Sequence, residues 1–182
     1  MTKKFLFISL FSLFFIYPHP TWGKQSLQAG SSALPKKRVA QNKEDHRIQT
    51  LTKYLEEQNS PLSQYAPLFI QMADKYHLTQ KDLDYLVPAI TGLESSYGKR
   101  YLQGSYNAYG WGGGYWLFSS WPESIEYVTR RLKERYLDRG ADTIAKIGPI
   151  YAESPTWAQR VAMIEKKIRL KENLIAQIPL TL

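Results

Sequence analysis

Residues 79–97, TQKDLDYLVPAITGLESSY, decide how the rest of the chain is read. On a helix turning ~100° per residue, Leu83, Leu86, Val87, Ile90, Leu93 and Tyr97 gather into one apolar stripe suited to a core. Glu94 falls within about 20° of both Leu83 and Val87, inside that stripe and away from Lys81, Asp84 and Ser95. A carboxylate among apolar side chains loses hydration. That disfavours the ionised form and readies the acid to donate a proton near neutral pH. The ordinary alternative is a glutamate in a last helical turn that pairs with an Arg or Lys, or reaches past the core to water. The same stretch predicts its own start, because Thr79 and Asp82 make a variant capping box. Pro88 lies inside the pattern and predicts a kink.

Working outward, order begins near His46. Ile48, Leu51, Tyr54 and Leu55 recur at helical spacing until Asn59-Ser60-Pro61 stops them. A second helix is expected from about residue 63, with Tyr65, Leu68, Phe69, Met72, Ala73 and Tyr76 on one face, closed by Tyr76-His77-Leu78. Gly98 is expected to end the organising helix. Residues 98–120 then change character: seven aromatic residues, Tyr101, Tyr106, Tyr109, Trp111, Tyr115, Trp116 and Phe118, stand among glycines. This composition predicts a small irregular β-hairpin lobe with turns at Gly104-Ser105 and at residues 112–114, forming one wall of a cleft beside Glu94. The rings either make a small core of their own or offer a surface on which sugars stack. Ser120 and Glu123 form a second capping box, with Pro122 in the first turn, for a helix whose inner face is Ile125, Val128, Leu132 and Tyr136, ended by Gly140. A short helix is expected over 142–147. Ser154-Pro155 opens a last one carrying Trp157, Val161, Ile164 and Ile168. The predicted class is therefore mainly α, an α+β arrangement of a helical domain with a hairpin lobe across a cleft.

A chain of 182 residues supports one folded domain plus extensions. Lys3 and Lys4 precede an apolar run over 5–17, and Thr21-Trp22-Gly23 offers small residues for cleavage, so residues 1–23 read as a secretory signal. The run is short for a membrane span, and contact with a membrane is expected only through this segment if it stays uncleaved. Residues 24–45 read as a disordered tether, and the domain occupies 46–178. Removing the signal takes away two lysines and no acids, so the net charge of +8 becomes +6. Such a protein suits acidic polymers of the cell envelope. Export and the scatter of its cations make nucleic acid the weaker partner. There is no Cys, hence no disulfide framework, and His19, His46 and His77 lack metal-ligand spacing. Neither a metal nor another cofactor is expected, and the protein is expected to be a monomer.

Four motifs bring a family into view. Residues 89–98, AITGLESSYG, resemble the catalytic helix of bacterial peptidoglycan-cleaving enzymes with the lysozyme-like fold, namely glucosaminidase domains and soluble lytic transglycosylases. Residues 106–111, YNAYGW, are similar to the Asn-x-aromatic-Gly segment that follows that glutamate in glucosaminidase domains. Residues 119–124, SSWPES, resemble their next helix start, and Tyr151-Ala152 through 157–161, WAQRV, their C-terminal tyrosine segment. The likeness spans roughly residues 60–170. It implies a secreted or periplasmic enzyme that cleaves β-1,4 bonds between amino sugars of peptidoglycan glycan strands. Glu94 would protonate the leaving oxygen, and Tyr151 would lean toward the acid or the substrate's N-acetyl group. The substrate-binding candidates are Ser95, Tyr97, Asn107, Tyr109, Trp111, Tyr115 and Trp116.

One departure matters for mechanism. Hydrolysis by two carboxylates needs a second acid across the scissile bond. No Asp or Glu lies between Glu94 and Glu123, and Glu123 is accounted for as a cap. Either a later acid such as Glu126 or Glu153 reaches the cleft, or the N-acetyl group assists, or the substrate's own 6-hydroxyl attacks. The last route needs a single acid/base and favours a lytic transglycosylase, whereas the motifs lie nearer to glucosaminidase domains. A wall-binding module that kept the cleft without turnover is the reading from another class.

Overall fold

A computed structural model describes residues 37–177, with side chains placed from His46 onward. The expected export signal at 1–23 and the first part of the tether, 24–36, lie outside the described residues. Where the tether was expected to continue, the backbone is already helical, because α1 spans Lys37–Glu57. Residues 37–45, KRVAQNKED, hold no Gly or Pro, so they extend a helix anchored by its packed second half. That half buries Leu51, Tyr54 and Leu55. A 3-10 turn, Ser63–Tyr65, then leads into α2 (Ala66–Lys75), which buries Phe69, Ile70, Met72 and Ala73.

The organising helix, α3, runs Leu86–Ser95 and starts later than its pattern predicts. Thr79–Lys81 form a 3-10 turn with no side-chain cap, and Asp82 takes a left-handed conformation at φ 54°. A capping hydroxyl must sit on extended backbone facing the first free N–H groups, and Thr79 does not. The apolar spacing survives because Leu83 and Tyr85 are buried from the turn instead of from a helix. Pro88 becomes the third residue of α3. Its missing N–H is one of the four that lack a partner at any helix start, so no kink is required.

In α4 (Trp121–Arg135) the cap forms as predicted: Ser120 Oγ accepts from Glu123 N, while the Glu123 carboxylate takes the N–H of Ser119. Ile125, Val128, Leu132 and Tyr136 are all buried. A 3-10 turn, Leu137–Arg139, separates the helix end from Gly140. The short helix α5 spans Ile144–Tyr151, later than expected, because Thr143 caps it through Lys146 N. The last, α6, is Trp157–Ala176; Thr156 precedes it and makes no side-chain cap bond. α3 packs chiefly on α6, which also covers α1 and α5, while α2 lies against α1 and α4. The α5–α6 approach is close enough that a Cβ at Gly148 would come within 2.6 Å of the Ala158 Cβ.

Among the described residues the architecture is mainly α and contains no strand. The hairpin lobe expected over 98–120 is a correction: these residues form turns only. Phe118 N donates to Ser105 O at 2.9 Å, but no ladder extends from that bond. Tyr106 and Gly110 to Gly114 put repeated positive φ values into the segment, which breaks the extended backbone a strand pair needs.

One ion cluster ties these parts together. Arg47 on α1 donates to both oxygens of Asp74 on α2, each at 2.9 Å, and to Asp84 before α3 at 2.8 Å. Asp84 also meets Arg169 of α6 at 3.4 Å. Arg47 and Asp84 are only 12% and 11% exposed, so this pairing is poorly screened. Arg47→Ala leaves two carboxylates without their shared cation and should cost about 3 kcal/mol of stability. Urea denaturation monitored by far-UV circular dichroism measures it, and a loss below about 1 kcal/mol would mean that the cluster is ordinary surface pairing.

Candidate functional site

The site is assembled where α3 stops. Ser96, Tyr97 and Gly98 follow in left-handed conformations, φ 53°, 62° and 77°, and Tyr97 N closes the helix end on Thr91 O at 2.9 Å. The helix therefore ends before Gly98, on two non-glycine residues that each pay backbone strain of order 1 kcal/mol. Ser95 provides the offset. Its buried hydroxyl lies 3.0 Å from Thr91 O and 2.9 Å from Ala108 O as donor, and accepts from Gly98 N at 2.9 Å. This pins the following segment across the helix end.

Asn107 shapes that segment. Its buried amide donates to Trp111 O (2.8 Å) and Trp116 O (3.1 Å) and accepts from Trp111 N (3.1 Å). The backbone is thereby curled so that Gly110, at φ 67°, passes directly over Glu94. A Cβ there would stand 2.8 Å from Glu94 Oε2. The other oxygen, Oε1, accepts from the indole Nε1–H of Trp157 at 2.6 Å. One oxygen is thus fixed by a donor and the other left beside a residue without a side chain.

Glu94 itself is exposed, which corrects the expectation of a carboxylate inside the core. Its direction was read correctly, since Val87 and Ile90 on the same side of α3 are buried. Its depth was not: Glu94 is open to solvent although the next residue, Ser95, is buried. Of the ordinary alternative, the ion pair is absent, since among the described residues no Lys or Arg forms a salt bridge with Glu94, whereas the reach to water is what the exposed carboxylate shows.

Tyr151, at the end of α5, stacks on Trp157 with ring centres 4.5 Å apart and planes 23° from parallel. Its hydroxyl donates to Tyr109 O at 2.7 Å; the resemblance implied that it leans toward the acid or the N-acetyl group, and among the described residues it makes no hydrogen bond to Glu94. Burial, and after it the negative charge of Glu94, pushes the Tyr151 phenol well above its usual range. It stays a neutral donor. Trp111 meets Tyr151 edge-on at 6.0 Å, and Trp116, nearly half exposed, stacks on Tyr127 at 5.7 Å.

Of the residues predicted from sequence, Tyr151, Trp111 and Trp116 line one depression, and Gly110, which lines it too, stands over Glu94. Tyr115 is 79% exposed at the tip of the segment. Ser95, Asn107 and Tyr109 are buried, and the side chains of Ser95 and Asn107 bond to backbone groups. Tyr97 turns away, its hydroxyl bonded to that of Tyr54 at 2.8 Å. Trp157 and Gly110 were missed as site residues. Trp157 read as a core position by its spacing to Val161, and nothing in the sequence announces its indole N–H; the Gly in YNAYGW was the available signal for Gly110.

Two depressions are lined by neighbours of Glu94, though not by Glu94 itself. One, about 350 Å³, is lined by Gly110, Trp111, Trp116, Arg135, Tyr136 and Tyr151. The other, about 310 Å³, is lined by the chain neighbours of Glu94, Leu93 and Ser96, with Arg160, Ile164 and Lys167 of α6. No second acid shares them. Ser119 holds the Glu123 carboxyl below the usual range, and Lys75, then Tyr76, do the same for Glu126 from the far side of α4. Glu153 lines a separate cavity of about 540 Å³ between α5 and α6. Among the described residues no three His, Asp or Glu side chains gather as a metal site.

No protein-family profile, curated protein or solved structure matches this chain. Gly110→Ala should cost about 1 kcal/mol from its positive φ and push Glu94 off Trp157. A shift of the Trp157 indole N–H resonance in a nitrogen–proton spectrum reads the second effect; an unmoved resonance would show that Gly110 does not set the carboxyl position.

Proposed function

We propose that this chain is a peptidoglycan-cleaving enzyme with a lysozyme-like helical fold, exported to the cell envelope. It breaks β-1,4 bonds between N-acetyl amino sugars with Glu94 as general acid/base. The observation that carries this reading is the setting of Glu94: among the described residues no cation pairs with it, Trp157 holds Oε1, and Oε2 lies under Gly110, which lines a depression walled by aromatic rings. With Oε1 engaged, Oε2 is the oxygen that carries the proton. It protonates the glycosidic oxygen as the bond to the anomeric carbon breaks. The indole N–H then steadies the carboxylate left behind. Rings such as Trp111 and Trp116 supply faces for sugars.

The single carboxylate favours a route that needs no second one. In a lytic transglycosylase sequence the substrate's 6-hydroxyl bonds to the anomeric carbon, and its proton returns to Glu94, leaving an anhydro sugar. Assistance by the N-acetyl group, as a glucosaminidase, leaves a reducing end instead. The exposure of Glu94 and the lack of a partner acid favour one other reading, a peptidoglycan-binding module without turnover.

Incubating the purified protein with peptidoglycan and analysing soluble muropeptides by mass spectrometry separates the three, by anhydro ends, reducing ends or no release. Glu94→Gln should lower release at least about a hundredfold. Because Glu94 is exposed, its unfolding midpoint should stay within about 2 °C of the parent. Release undiminished in this variant would remove Glu94 from the chemistry.

A further inference from the structure

The two depressions beside Glu94 share a feature that the cleavage chemistry does not use. Along the end of α4, Arg130 and Arg131 pair with Glu134, and Lys133 with Asp138. Arg135, the next cation, makes no ion pair among the described residues, and it is the one charged side chain lining the aromatic depression. Across Glu94, Arg160 and Lys167 stand on one side of α6, about two turns apart, and line the other depression, again without an ion pair among the described residues. Further along that helix Arg169 is occupied by Glu165 and Asp84 and Lys171 by Glu57, while Lys166, also without an ion pair among the described residues, lines neither depression. Neither depression is lined by a carboxylate. Cations without an ion pair among the described residues thus line both depressions that neighbours of Glu94 help to form.

The geometry points to Arg135, Arg160 and Lys167 as specificity-determining residues that read carboxylates carried by the glycan on both sides of the bond presented to Glu94. The inference rests on the glycan-cleaving reading and deepens it. A neutral amino-sugar polymer has nothing for these three cations. A polymer in which every second sugar bears an acid places negative charge on either side of any bond between unlike sugars. That pattern matches one cation in one depression and two in the other. The carboxylate has two possible sources, the lactyl ether of the acidic sugar or a peptide attached to it. Each leaves the recognising chemistry unchanged: a guanidinium or ammonium at the rim, beside rings on which the sugar rests.

The test compares three probes by intrinsic tryptophan fluorescence titration: peptide-free glycan strands with free lactyl carboxylates, strands that keep their peptides, and a neutral chitin oligomer. It uses the full chain and a triple variant, Arg135→Gln, Arg160→Gln and Lys167→Gln. The variant should weaken binding of acidic strands about tenfold or more and change chitin binding by less than about twofold. Weakening on both acidic probes assigns the lactyl carboxylate, and weakening only on peptide-bearing strands assigns the peptide. Arg135→Lys with the other two cations intact should keep most of the affinity, which a purely structural role for the guanidinium would not. Equal losses on chitin and on acidic strands, or no loss on either, would overturn the inference and leave the Glu94 reading standing. If the parent protein binds none of the three probes, the glycan reading itself fails and this inference falls with it.

Discussion

A single buried hydroxyl closes the organising helix and fixes what comes after it. Ser95 shares one proton between the carbonyls of Thr91 and Ala108 and accepts from Gly98 N. Those groups belong to α3, to the segment beyond it and to the left-handed turn between them. Without that hub, two strained residues, Ser96 and Tyr97, would have little to hold them in the left-handed region. With it, the chain crosses the end of α3 at a set height, and Asn107 curls the next residues so that Gly110 faces Glu94. Trp157 reaches the same carboxyl from α6, the helix against which α3 packs most closely. The position of the acid is therefore a consequence of how the helix ends, not of how it begins.

Helix content was legible because burial follows periodicity. Ile125, Val128, Leu132 and Tyr136 read as one face and are one face, and the Ser120 cap forms as the residues suggested. The start of α3 was not legible for a specific reason. Thr79, Asp82 and the apolar spacing satisfy the pattern of a capped helix, yet a turn buries Leu83 and Tyr85 equally well, and a one-dimensional pattern does not separate the two. The segment at 98–120 misled differently. Its aromatics suit strands, but the positive φ values at Tyr106 and at four glycines between 110 and 114 set the backbone, and side-chain propensity follows.

In the site, sequence separated the acid from its surroundings well and the surroundings from one another poorly. Ser95, Asn107 and Tyr109 are polar residues near a glutamate, which is what a ligand-binding set looks like in one dimension. The side chains of Ser95 and Asn107 are spent on backbone, Ser95 on two carbonyls and Asn107 on Trp111 and Trp116, while Tyr109 is met through its own carbonyl by the Tyr151 hydroxyl. A buried loop leaves backbone N–H and C=O groups without water, and side chains must meet them. Polar residues beside an irregular segment are drawn into that task first. Trp157 shows the converse, an apolar spacing whose ring packs on Tyr151 while its one polar atom turns to Glu94.

The exposure of Glu94 shifts where its activation has to come from. A core position would have dried the carboxyl before any ligand arrived, and the structure leaves it open to water. On the proposed reading the glycan supplies the missing desolvation. A sugar lying across Gly110 has no side chain to lift it away from Oε2, and rings at Trp111 and Trp116 bear its apolar face. A sugar closing the groove would remove water from an acid already oriented by an indole N–H. Such an acid is oriented in advance and left open until a ligand arrives. That is consistent with a helix end that spends its strain on fixing the carboxyl in direction, while leaving its surroundings to be completed by what binds.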